Sequence, residues 1–178
     1  MSWFKSTWVL LPLSSLLFAA CTQTTNSEVE KVYFDLEGYF NKEVAQLVQN
    51  KPSIQKIVWK NGEMNQKEIQ DLSWDQELSL FIESDINKPS WLHSYAEEQA
   101  GDTLQYSTQD SSLEVRNISI IGTPPHIREI HIHRRVENPL YTSDTQLSYY
   151  PDSLYRMEKT QNVRFLGENQ YRIEGQLK

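Results

Sequence analysis

Apolar and polar positions change their rhythm along this chain, and the changes mark out its elements. From Val32 to Asn50, Tyr33, Leu36, Phe40, Val44 and Leu47 return at spacings of three and four, the signature of one face of an α-helix. Asp35 stands where an N-cap would accept first-turn amides, and "NKP" at Asn50 to Pro52 closes the segment, because the residue ahead of a proline avoids helical ψ. "SIQKIVWKNGEMNQKEIQ" follows. Its Asn61-Gly62 pair suits a type I′ turn, whose two central residues need positive φ. That turn predicts a hairpin with Trp59 opposite Met64, Lys60 opposite Glu63 and Ile54 opposite Ile69. A second helix is predicted from Ser73, with Gln76 as the partner in a capping box and Trp74, Leu78, Phe81, Ile82 and Ile86 on its apolar side. It ends before Pro89, and "INKPSWLHSY" is expected to be a loop or single turn.

From Asp102 onward, short alternating runs are separated by "QDSS", "GTPP", "ENP", "YPDS" and "LGEN". This predicts up to six antiparallel strands in a meander. In the last of them Tyr171, Ile173, Gly175 and Leu177 share one face, and Arg172, Glu174 and Gln176 the other. Leu113 and Val115 are followed by Ile118 and Ile120, a shift of phase that predicts a bulge near Arg116 or Asn117. The whole layout implies an α+β domain, with two helices packed on one face of a twisted antiparallel β-sheet.

The first twenty residues obey a different logic. "MSWFK" carries one basic residue, Lys5, and a mostly apolar run from Ser6 to Phe18 leads to the small residues Ala19 and Ala20. A charged start, a short apolar stretch and small residues before a cleavage point make a secretory leader, so residues 1–20 are excluded from the fold. Cys21, the only cysteine, follows directly. It has no disulfide partner within the chain, which is unusual for a thiol sent to an oxidising compartment. "LFAAC" resembles the lipobox of bacterial lipoproteins, with Phe18 where the family has an aliphatic residue. The resemblance implies cleavage before Cys21, diacylglycerol on its thiol, and palmitate-type acyl chains that hold the mature protein on a lipid bilayer. Thr22, in place of the aspartate that retains some lipoproteins at the inner membrane, implies the outer membrane and a periplasmic setting. Residues 21–31 then form a lipidated, polar tether and residues 32–178 a single domain.

Two further resemblances bear on the domain. "YFDLEGYF" and "WDQELSLFIESDINKPSW" resemble a family of small uncharacterised envelope lipoproteins, which brings no activity with it. The layout of elements is similar to that of the periplasmic lipoprotein carriers, and this implies a curved sheet forming an open half-barrel around the helices.

Charge narrows the partners. Lys5 is one of 17 basic residues, so the chain after the leader keeps 17 − 1 = 16 against 24 acidic ones, a formal −8. Such a balance repels nucleic acid. After Cys21 no apolar run approaches the ~20 residues of a membrane span, so only the acyl chains are expected in the bilayer.

Candidate chemistry gathers in "HIREIHIHRRVENP". By the period of two, Ile130, Ile132 and Val136 point to one face and Glu129, His131, His133 and Arg135 to the other. If the "GTPP" turn joins the flanking strands, Ile132 falls opposite Val115 and His133 opposite Glu114, a cross-strand polar contact. The same three residues, His131, His133 and Glu114, are the alternative reading, a metal site serving a hydrolase. Arg116, Arg134 and Arg135 crowd that region with positive charge and oppose a bare cation. The wet face of a sheet is therefore the preferred reading, with Trp91, Tyr95, His131, His133 and Arg135 as candidate binding residues. Tyr106, Tyr149 and Tyr150 are aromatics that fit either a ligand groove or the core. No nucleophile elbow, zinc-protease helix, paired-cysteine motif or phosphate-cradling loop is present, and no cofactor is implied. The expectation is a non-enzymatic, membrane-anchored envelope protein that binds or assembles with a protein or lipid partner.

Overall fold

The computed structural model describes residues 31–178; the leader and Cys21 lie outside the described residues. Helix α1, Leu36–Asn50, starts on the expected cap, where the Asp35 carboxylate accepts the Gly38 amide at 2.9 Å. It ends at Lys51, whose left-handed backbone (φ 46°) turns its amide to the Leu47 carbonyl. Leu36, Phe40 and Leu47 form its buried stripe.

Strands β1, Ile54–Lys60, and β2, Glu63–Ile69, make the expected hairpin in the expected register: Ile54 pairs with Ile69, Trp59 with Met64 and Lys60 with Glu63. Asn61 and Gly62 supply the two positive φ angles of the turn, 50° and 92°.

The second helix departs from its sequence pattern. It is broken into α2, Trp74–Glu77, and α3, Ser79–Ile82, with Leu78 between them at φ −97° and ψ 7°. The capping box does not form either. The Ser73 hydroxyl donates to Asp75 Oδ1 at 2.7 Å, and the Ser79 hydroxyl donates to the Gln76 carbonyl at 2.9 Å. Local hydroxyl bonds of this kind compete with the helical ladder. Trp74, Leu78 and Phe81 still reach the core, because the break preserves their spacing of four and three.

The remaining strands are β3 Ala96–Ala100, β4 Thr103–Ser107, β5 Val115–Thr123, β6 His126–Glu137, β7 Tyr141–Tyr150, β8 Leu154–Val163 and β9 Gly167–Leu177. Among the described residues, all nine strands form one sheet in the order β2-β1-β9-β8-β7-β6-β5-β4-β3, with every neighbouring pair antiparallel. The six strands expected after Asp102 are present; β3, exposed along its whole length, has no apolar alternation to announce it. The sheet has two free edges, β2 and β3, so it is not closed. Since the chain leaves one edge at β2 and re-enters at the other through β3, α2, α3 and the loop that follows must cross the sheet.

That crossing builds the core. The Phe40 ring lies 5.0 Å from both Phe81 and Tyr149, and Trp74 meets Tyr155 edge-on at 6.3 Å. Val115, Ile118, Ile120, Ile130, Ile132 and Leu147 complete the same buried layer. The loop after α3 pins the entering chain. Asn87 accepts the Tyr33 amide at 2.9 Å and donates to the Phe34 carbonyl at 3.2 Å, while Asp85 accepts the Glu37 amide at 2.9 Å.

The β5–β6 register differs from expectation. Ile132 pairs with Ile118, His133 with Asn117 and Val115 with Arg134. The turn is tighter than "GTPP" suggested, with Thr123 pairing directly with His126, and a second irregularity at Ile121/Gly122 shifts the ladder again. The bulge expected near Arg116 is present between Val115 and Asn117.

Candidate functional site

The histidine face is built by strand alternation. Ile130 and Ile132 are buried beneath the helices, which turns Glu129, His131, His133 and Arg135 to the opposite face of the sheet. There each imidazole has a carboxylate of its own. His131 Nε2 is 2.9 Å from Glu129, its Nδ1 is 3.2 Å from the Ser148 hydroxyl, and its ring stands edge-on to Tyr150 at 5.8 Å. His133 Nε2 is 2.9 Å from Asp144, which also lies 3.8 Å from Arg135. The charge-matched pattern continues across the sheet in Arg156 with Glu174 at 2.8 Å and Arg172 with Glu158 at 2.6 Å, Arg172 also lying over the Trp59 ring. This face is a ladder of cross-strand polar pairs.

Glu114 does not join it. Its carboxylate pairs with Arg134 at 2.8 Å, and that guanidinium also meets Glu83 at 3.8 Å and the Leu80 carbonyl at 3.4 Å, on the helix side of the sheet. The expected contact between His133 and Glu114 is thus corrected: the tighter turn, together with the irregularity at Ile121/Gly122, places Asn117 there instead. His131, His133 and Glu114 are not brought together, and among the described residues no group of three or more His, Cys, Asp or Glu converges as metal ligands would.

The candidate aromatics divide between the two faces. Tyr95 is buried, and its hydroxyl donates to the Val115 carbonyl at 2.9 Å. Tyr33 packs edge-on against both Tyr95 and Tyr106, and Tyr106 accepts the Phe34 amide. Trp91 is half-buried, with the Lys88 ammonium 3.9 Å above its ring. Burial lowers the Lys88 pKa. Tyr149 is buried against α1 and donates to Glu43 at 2.6 Å, and burial drives its hydroxyl pKa upward. Trp91 and Tyr95 therefore sit with the core, while His131, His133 and Arg135 lie on the other face.

A groove between α1 and the β5–β6 turn escaped the sequence reading. Phe34 and Tyr39 line one wall and Pro124, Pro125 and Ile127 the other, with Asp35, Lys42 and Glu43 also lining it, and the space between measures about 540 Å³. That volume is in the range of small-molecule sites, whose walls are mostly apolar with a few polar groups. Burial raises the Glu43 pKa, opposed by the Tyr149 hydrogen bond and reinforced by the charge of Asp152. The available signal was that Phe34 and Tyr39 are apolar yet lie off the buried Leu36–Phe40–Leu47 stripe.

A second polar cluster lies under α2. Glu77 bonds both the Lys56 ammonium and the Tyr155 hydroxyl, the latter at 2.5 Å, and burial again raises the tyrosine pKa. The cluster ties α2 to β1 and β8. No protein-family model, curated protein or solved structure matches this chain.

Proposed function

We propose that this chain is an envelope lipoprotein, anchored to the outer membrane through acylated Cys21 and facing the periplasm, that works as a non-enzymatic binding module for a lipid or protein partner. The observation that carries the reading is the lone Cys21 directly behind Ala19 and Ala20 at the end of a short leader. The groove of Phe34, Tyr39, Pro124, Pro125 and Ile127 supports the binding role, since an apolar trough with a few polar groups beside it suits an acyl chain. The sheet in this proposal is a curved open half-barrel around its helices, a shape that its two free edges support.

Two measurements test it. Mass spectrometry of the mature amino terminus should find a diacylglycerol-modified Cys21, and Cys21→Ser should release the protein from carbonate-washed membranes. Crosslinking in intact envelopes, with extracted lipids analysed in parallel, should recover a partner that Tyr39→Ser together with Ile127→Ser loses. An unmodified terminus rejects the anchor; recovery unchanged in the double variant rejects the groove.

A further inference from the structure

Three large apolar side chains stand in solvent at one end of the sheet. Leu140, in the β6–β7 turn, is 71% exposed, and Phe165 and Leu166, in the β8–β9 turn, are 92% and 80% exposed. The two turns are neighbours, because the Arg164 amide donates to the Leu140 carbonyl at 2.9 Å. Phe165 holds φ at 72°, a left-handed position that asparagine or glycine fills with far less strain. None of the three side chains belongs to the core. Turns are polar as a rule, and a cluster of exposed apolar residues that breaks the rule marks a contact surface.

Size and setting select the occupant. Three side chains on two projecting turns fall well short of the ~1,000 Å² that a specific protein interface buries. A bilayer interface needs only a few apolar groups that penetrate it, with aromatic and basic side chains at headgroup level. Arg164 has that placement: its guanidinium lies over the Phe165 ring at 5.1 Å, where a lipid phosphate could meet it. The reach is sufficient. The ten residue-to-residue steps from Cys21 to Lys31 span at most about 36 Å. Lys31 lines the same cleft as Arg134, which lies four residues, roughly 13 Å along the strand, before Asn138 at the start of the β6–β7 turn.

We infer that Leu140, Phe165 and Leu166 form a tip that enters the interfacial layer of the bilayer carrying the anchor, with Arg164 against lipid phosphate. The inference rests on the lipoprotein reading above. It gives the domain a fixed stance, one end of the sheet in the headgroups, where a tether alone would leave it free to tumble.

The test uses the full processed protein purified from membranes. Acylation consumes the Cys21 thiol, so Pro139→Cys, which leaves the three apolar side chains intact, carries the sole free thiol for a fluorophore. Glu98→Cys on β3 is the control. Each is reconstituted in phosphatidylethanolamine and phosphatidylglycerol vesicles containing a nitroxide-labelled lipid as quencher. The Pro139 label should lose most of its emission and the Glu98 label little, and adding Phe165→Ser with Leu166→Ser should return the Pro139 label to the control level. Equal emission from the two labels, or quenching that survives the double substitution, overturns the inference. So does a blue shift at Pro139 without lipid quenching, which would report a protein occupant. Uptake of two labels per chain would show Cys21 unmodified and reject the anchor as well; a singly labelled, vesicle-bound protein with an unquenched tip rejects the tip alone.

Discussion

The ring of Tyr155 on β8 lies against the backbone of Gly175, its cross-strand partner on β9. A Cβ built on Gly175 would come within 2.1 Å of Tyr155 Cε1 and 2.5 Å of its hydroxyl oxygen. The glycine is there to admit the ring, which in turn places the hydroxyl on Glu77 at 2.5 Å and the ring edge against Trp74. Gly175→Ala is therefore expected to destabilise the fold by about 1–3 kcal/mol, the usual range for overpacking a core. Urea unfolding measures it, and Tyr155→Leu in the same chain should recover part of the loss. An unchanged midpoint in Gly175→Ala would contradict the packing described.

Glu43 gives stability a pH dependence. Burial raises its folded pKa, so between the unfolded carboxylate value of about 4.3 and that raised value the native state binds more protons than the unfolded state. The contribution is complete below the unfolded pKa and is lost as pH rises through the folded one. Glu43→Gln keeps an acceptor for the Tyr149 hydroxyl and removes the charge, so it should match the parent near pH 4 and exceed it in stability at pH 7. Glu43→Ala should lose about 1–3 kcal/mol at both, because the buried hydroxyl of Tyr149 is left unpaired. Thermal unfolding followed across pH 4 to 8 separates these outcomes.

Much of this architecture could be read from pattern alone. The Asn61-Gly62 turn set the hairpin register to the residue, and Asp35 capped its helix as expected, since both depend on neighbours in sequence. The errors fell where apolar spacing is silent, on side-chain bonds close in sequence and on contacts far apart in it. Ser79 looked like an ordinary helical residue, yet its hydroxyl takes the Gln76 carbonyl at the break between α2 and α3. A two-residue turn and the irregularity at Ile121/Gly122 moved His133 from Glu114 to Asn117, and a shift of that kind leaves little trace in apolar spacing. The groove was hidden because Pro124, Pro125 and Phe34 are far apart in sequence and meet only in the folded chain.

Asn87 should matter more than its position in a loop suggests. It is buried, and it uses both ends of its amide to hold the Tyr33–Phe34 segment that leads into α1. Asn87→Asp replaces a donor with an acceptor facing two carbonyls and the Asp85 carboxylate, and should remove about 3 kcal/mol. Hydrogen exchange at the Tyr33 amide reads the effect locally: protection there should collapse before the sheet unfolds. Retained protection would mean that the tyrosine packing, and not the amide, secures the entry.

The histidine pair bears on metal binding. In a metal site the two imidazoles would turn toward a common point with a third ligand beyond them. Here His131 and His133 each lean on a separate carboxylate, Glu129 and Asp144, and Glu114 is held by Arg134. Protein purified from metal-replete medium should accordingly carry far less than one equivalent of zinc, copper or iron by elemental analysis. Each pair is partly exposed, so His131→Gln and His133→Gln should each change stability by no more than about 1 kcal/mol. One bound metal per chain, lost on either substitution, would show that the side chains rearrange to form the site their spacing first suggested.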